Sequence, residues 1–212
     1  MPNEKIEWTF TWNEDADTDK ARCLIIGDSI IWGSRTDVYK ALTGEITVST
    51  FATSKGVDSP YLMEEIALFC KQSDLCFQAV FFNTGLHTHG QSSEEYGRNY
   101  RRVLSELRAL LPNAKFILGL STPISEVMGD PSAHAAPITV EERDHLSELD
   151  RGVQAYNREV LAIAREESLP VFDAYTLMAA HKDKKRDPYH FDEEGRSIFG
   201  SAVAEQLLSL CH

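Results

Sequence analysis

The chain has 212 residues, enough for one domain that buries most of its apolar surface without disulfide or metal staples. Its composition, 42% hydrophobic and 25% charged, is that of a globular protein, and no apolar run approaches the roughly 20 residues that span a bilayer. A formal net charge of -12 repels phosphate backbones, which disfavours nucleic acid as a partner and is read as a solvated surface. The four cysteines, Cys23, Cys70, Cys76 and Cys211, have neither C-x-x-C spacing nor scaffold density and are expected to be buried thiols.

Residues 1–20 form an acidic amino-terminal segment, ahead of a single domain expected over residues 21–212. The segment lacks the basic-then-apolar order of a secretory signal, so a cytoplasmic location is expected. Within it Trp8, Phe10 and Trp12 alternate, the spacing of a short edge strand or of an arm that contacts a partner. The run CLIIG at 23–27 has the pattern of a buried strand. Residues 30–42 predict a helix closed by Gly44, and EITVSTF at 45–51 a β-branched strand. Pro60 opens a helix through Tyr61, Ile66 and Phe69, followed by the apolar strand AVFFN at 79–83.

Ser92 and Glu95 have the spacing of a capping box before Tyr96, Tyr100, Val103, Leu107 and Leu110, which share one helical face until Pro112. KFILGLS at 115–121 is a further strand. The interval from Pro123 to His145 is the one long irregular stretch, a candidate wall for a substrate pocket. Leu146, Leu149, Val153, Tyr156 and Val160 then mark one face of a long helix, LPVFD at 169–173 a short strand, and residues 193–210 an amphipathic helix. Strands alternating with helices imply a three-layer α/β/α sandwich around a central parallel sheet.

Ligands of such a sheet collect beyond the carboxyl ends of its strands. There, Gly27-Asp28-Ser29 places a hydroxyl at a helix amino terminus, either as a nucleophile or simply as the helix cap. Thr53-Ser54-Lys55-Gly56 follows the next strand, and its glycine lets a bare backbone N–H reach a ligand. The turn Asn83-Thr84-Gly85-Leu86-His87-Thr88-His89 is rich in donors. Its two histidines have no further ligand set at metal spacing, so neither metal nor cofactor is expected. Near the carboxyl end, Asp187-Pro188-Tyr189-His190 sets a carboxylate three residues before an imidazole, able to orient one ring nitrogen and leave the other free to deprotonate a serine. Taken alone, that segment also reads as a polar loop with Asp192 capping the last helix.

All four segments fall on one edge of the sheet, and in this order they resemble the SGNH, or GDSL-type, hydrolase family from about Cys23 to Leu210. The Gly-Asp-Ser block matches Gly27 to Ser29, the glycine block Gly56, the Gly-x-Asn-Asp block falls on Gly85 to Thr88, and the Asp-x-x-His block matches Asp187 to His190. The resemblance implies a flavodoxin-like sheet and ester hydrolysis, with Ser29 as nucleophile, His190 as proton relay and Asp187 orienting it. It further implies an oxyanion hole from the Ser29 and Gly56 N–H groups. His87 stands where the family has asparagine and Thr88 where it has aspartate; a neutral imidazole can supply the missing N–H, and Asn83 is a nearby alternative. The substrate implied is a small, acetyl-type ester, carbohydrate esters included. A lysophospholipase or thioesterase, an acyl transferase, and a binding module that kept the fold are the competing readings. Trp32 is either a platform for a sugar ring or a packing residue. No Gly-x-Ser-x-Gly elbow, P-loop or dinucleotide fingerprint is present.

Overall fold

The computed structural model describes residues 7–14, 19–87, 90–126 and 138–211. Strands β1 (Thr9–Asn13), β2 (Arg22–Gly27), β3 (Thr47–Thr53), β4 (Ala79–Asn83), β5 (Lys115–Gly119) and β6 (Val171–Phe172) alternate with helices α1 (Ser29–Leu42), α2 (Leu62–Ser73), α3 (Ser93–Leu110), α4 (Val140–Glu166), α5 (Ala174–Ala179) and α6 (Glu193–Cys211). The sheet runs β1-β3-β2-β4-β5-β6. Five strands are parallel, as expected, but β1 pairs antiparallel with β3, Thr9 opposite Thr53 and Asn13 opposite Ser49, so the sheet is mixed. Of the two readings of the tryptophan-rich segment, the structure adopts the edge strand.

Strand pleating explains the two helical layers. Side chains alternate between faces, so Leu24, Ile26, Val80, Phe82, Phe116 and Leu118 pack against α2, α3 and α4. Cys23, Ile25, Ala79, Phe81 and Ile117 point the other way, onto α1, α5 and α6. Because the middle strands are covered twice, their sequences are continuous apolar runs rather than alternating ones. This is the three-layer α/β/α sandwich.

Local rules set the helix ends. Ser92 and Glu95 form the expected capping box on α3. A second box, Thr139 with Glu142, starts α4 at Val140, so helix replaces the end of the irregular stretch expected over 123–145. Residues 127–137 of that stretch lie outside the described residues. The short α5 was not anticipated, since six residues give too little periodicity to register. All four thiols are free, and only Cys23 is buried; Cys70 and Cys211 are half-buried and Cys76 is exposed, because it follows the end of α2 instead of entering a strand.

Candidate active site

β2 is flanked by β3 and β4, and the chain leaves β2 and β3 toward opposite faces of the sheet through α1 and α2. Such a reversal opens a crevice at the carboxyl ends of the central strands. Ser29 stands there as the first residue of α1. The capping role is taken by Asp28, whose Oδ1 accepts the Ile30 N–H at 2.9 Å, a bond worth about 1 kcal/mol to a helix. The Ser29 hydroxyl is thereby spared for another partner. Burial pushes the Asp28 carboxyl above its ordinary range, with charge on His87 and His190 acting in the opposite direction. Those two imidazoles therefore both lie within electrostatic reach of the residue next to Ser29.

That other partner is His190, whose Nε2 is 2.8 Å from Ser29 Oγ, although the residues are 161 apart in sequence. The opposite ring nitrogen, Nδ1, is 3.0 and 2.9 Å from the two Asp187 carboxylate oxygens. Asp187 is held by its own turn, because Oδ1 accepts the backbone N–H groups of Tyr189 at 2.9 Å and His190 at 2.8 Å. Burial alone would raise the Asp187 carboxyl, but those N–H donors and the His190 ring outweigh it and hold its pKa below the usual carboxylate range. An anionic Asp187 fixes the imidazole so that Nε2 faces the serine as an acceptor. Asp192 also caps α6, its Oδ1 accepting from Gly195 N–H at 2.8 Å, so the cap and the Asp187–His190 contact coexist in this segment.

Lys185 secures the turn from beneath. Its side chain is buried, with Nζ donating to the carbonyls of Pro123 at 2.5 Å and Pro188 at 2.9 Å, and lying 4.5 Å from the Phe191 ring. Burial lowers its pKa to about 8, against the pull of Asp187 and Asp150. In sequence it belongs to the basic run Lys182 to Arg186, which reads as a solvated face. Nothing in that pattern marks the one lysine turned inward.

Strand register places the expected oxyanion donors. Gly27 pairs with Ala52 and Ile26 with Phe82, so the loops holding Gly56 and His87 leave the sheet on either side of Ser29. Gly56 is buried, and among the described residues neither its N–H nor that of Ser29 meets an acceptor. The turn before His87 is braced, since Thr84 O accepts from Tyr96 OH at 2.6 Å. Gly85 packs closely there: a Cβ would fall 2.3 Å from Ser121 Oγ, which would have to move. His87 itself is half-buried, edge-on to the Trp8 ring at 5.9 Å. Asn83 is not directed to the crevice in the same way: its amide donates to Gly119 O on β5 at 3.0 Å. Thr88 and His89 lie outside the described residues, and with them the two-histidine metal reading; among the described residues no cluster has the makings of a metal site.

A cavity of about 290 Å³ adjoins Ser29 and His190, lined also by Trp32, Arg35, Arg186 and Arg196. Phe10 stacks on Trp32 at 4.8 Å and the Arg35 guanidinium lies 3.7 Å over its ring, so the tryptophan is engaged in packing. Sequence reading passed over Arg35 and Arg196 because on an amphipathic helix an arginine is ordinarily solvent-facing. Only the junction of α1 and α6 turns them to one cavity.

The same arrangement of chain occurs in other proteins. Structural similarity extends over 90% of the chain to an aryl esterase of M. smegmatis (99% of that chain, TM-score 0.66, 17% identity). It extends over 90% to a carbohydrate acetylesterase from Sinorhizobium meliloti (100% of that chain, TM-score 0.62, 16% identity). A member of the lipolytic G-D-S-L family from Veillonella parvula aligns over 87% of this chain and 97% of its own, with TM-score 0.63 and 18% identity. At such identities these likenesses establish the fold. No curated protein matches the sequence. Family-level similarity covers residues 73–198, more than half the chain; it takes in the Asp187–His190 turn and begins after Ser29, which the fold restores to its place beside that turn. By that match, the chain belongs to the GDSL-like lipase/acylhydrolase family.

Proposed function

We propose that the protein is a serine esterase for small acyl esters, acetyl esters foremost, acting through Ser29, His190 and Asp187. The observation that carries this is the continuous chain of contacts from Asp187 to His190 Nδ1 and from Nε2 to Ser29 Oγ at 2.8 Å. Ser29 Oγ attacks the acyl carbon as its proton passes to Nε2, and the imidazolium is stabilised by Asp187. The carbonyl oxygen becomes an oxyanion held by the Ser29 and Gly56 N–H groups, with His87 donating the third hydrogen bond in place of an asparagine amide. Collapse expels the alcohol, which takes the proton from Nε2, and water then repeats the sequence on the acyl-enzyme.

A cavity of about 290 Å³ beside Ser29 suits a compact group, which favours a small ester as substrate. The acetyl preference, and carbohydrate esters as a substrate class, draw support from the carbohydrate acetylesterase and from an acetyl xylan esterase among the structural neighbours. The test is hydrolysis of nitrophenyl esters from acetyl to long-chain acyl, with fluorophosphonate labelling. Short esters should turn over, and Ser29→Ala should lose at least about 10³-fold in kcat together with the label. His87→Ala should lose about 10²- to 10³-fold if it donates to the oxyanion. Absence of both turnover and labelling in the wild type would leave a binding module that kept the fold.

A further inference from the structure

Ester hydrolysis does not call for positive charge around the cavity beside Ser29, yet the cavity has it. Arg35, Arg186 and Arg196 line it with no aspartate or glutamate among its described lining residues, in a chain whose 33 acids outnumber 21 lysines and arginines. Elsewhere on the helices, Arg98, Arg101, Arg102, Arg108 and Arg143 are each paired with a glutamate. The cavity arginines are compensated far less. Arg186 is 3.6 Å from Asp187, already engaged by His190. Arg35 donates to the Trp32 carbonyl at 2.6 Å, while its buried Nε meets no acceptor among the described residues. The Arg196 guanidinium has neither carboxylate nor carbonyl partner among them, and its stem lies against Gly33, where a Cβ would come within 3.3 Å of Cδ. Three cations that share a half-enclosed cavity lined by no carboxylate, with Asp187 beside Arg186 and Glu14 acting on Arg35 from outside it, make an arrangement that a bound anion stabilises.

Position tells which part of the ester the cavity receives. It is bounded by Arg186, His190, Phe191 and Arg196, and neither Gly56 nor His87 lines it, so it lies on the histidine side of Ser29, away from the oxyanion donors. In acyl transfer the departing alcohol takes its proton from the histidine and must sit on that side. We propose that the cavity takes the alcohol portion of the substrate and that this portion carries a carboxylate or phosphate, held by Arg196 with Arg35 beside it. This rests on the esterase reading above and adds a substrate class to it. Guanidinium matches either anion through paired N–H donors, whereas a lysine supplies only a point charge.

The experiment compares 4-acetoxybenzoate and 4-acetoxyphenyl phosphate with the uncharged 4-acetoxybenzamide, each kcat/KM being divided by the ester's rate in hydroxide alone. The wild type should favour at least one anion over the amide by about tenfold or more at low salt, and the preference should shrink as ionic strength rises. The better anion names the class. Arg196→Gln should bring the ratio close to one, with Arg196→Lys between it and the wild type. Equal handling of all three esters, or a preference that survives Arg196→Gln, would overturn the proposal. Calorimetric binding of the same three compounds to Ser29→Ala separates the two readings: anion-selective binding alongside a wild type that hydrolyses nothing would sink the esterase reading and sustain the anion site.

Discussion

Lys185 illustrates how much the Asp187–His190 turn depends on a residue with no part in the proposed chemistry. Its ammonium ties the Pro188 carbonyl, inside the Asp187–His190 turn, to that of Pro123 just past β5. Lys185→Met would fill the space but leave those carbonyls without their donor, at a cost on the order of 3 kcal/mol. The expected outcome is a lower Tm and a kcat that is depressed even well below Tm, because the imidazole loses its fixed bearing on Ser29. The pH dependence has a definite sign. An unfolded lysine titrates at about 10.4 and folded Lys185 at about 8, so between those values the unfolded chain binds more protons. The cost of burying the charge is relieved there as pH rises. The wild type's stability advantage over Lys185→Met should accordingly grow from about pH 8 to 10.4, which urea denaturation at several pH values would measure. An advantage that is flat across the window would mean Nζ is not buried as described.

Among the elements, α1 and α6 matter most, since α1 presents Ser29 and α6 carries Arg196. Their contact depends on Gly200, where a Cβ would lie 2.8 Å from Asp37 Cβ and 3.1 Å from both Ser34 O and Val38 N. Two of those neighbours are backbone, so Gly200→Ala forces the helices apart, costing about 1 to 3 kcal/mol and lowering kcat with it. Gly152 in α4 has nothing within 4 Å, and there the same substitution should stabilise by up to about 1 kcal/mol through helix propensity. Midpoints of urea unfolding for the pair should therefore move in opposite directions. The sequence made these elements legible unevenly. α3 declared itself through its capping box and periodic apolar face, and β2 and β4 through apolar runs bounded by glycine or asparagine. The contacts among Ser29, His190 and Asp187 were equally readable, because Gly27 to Ser29 and Asp187 to His190 are local patterns at predictable strand and helix ends. The carbonyls that accept from Lys185, the clustering of Arg35 with Arg196, and the direction of β1 were not, since each depends on which distant elements meet.

At the scale of the whole molecule, β1 is the part that a reading of local pattern left most open and the structure most clearly employs. Trp8, Phe10 and Trp12 occupy alternate positions, and each meets the site: Trp8 lies edge-on to His87, Phe10 stacks on Trp32, and the Arg35 guanidinium is 5.6 Å from Trp12. One face of an edge strand thus supports the proposed oxyanion donor and the proposed anion cavity together. The other consequence is protection. All seven residues of β3 are buried, and β1 covers the free edge of that strand with a register of five residue pairs. Deleting residues 1–14 would bare a long edge of residues buried in the full chain, the arrangement that pairs with a second chain. The truncated protein should therefore elute as dimers or larger species on size exclusion, in contrast to the full chain at the same concentration. Its residual ester hydrolysis should fall further than that of Trp8→Ala, which loosens His87 and leaves β3 paired. If the truncated chain instead keeps both its elution volume and its activity, β1 is an ornament on the sheet, and the tilt of His87 must be set by the Thr84–Gly85 turn alone.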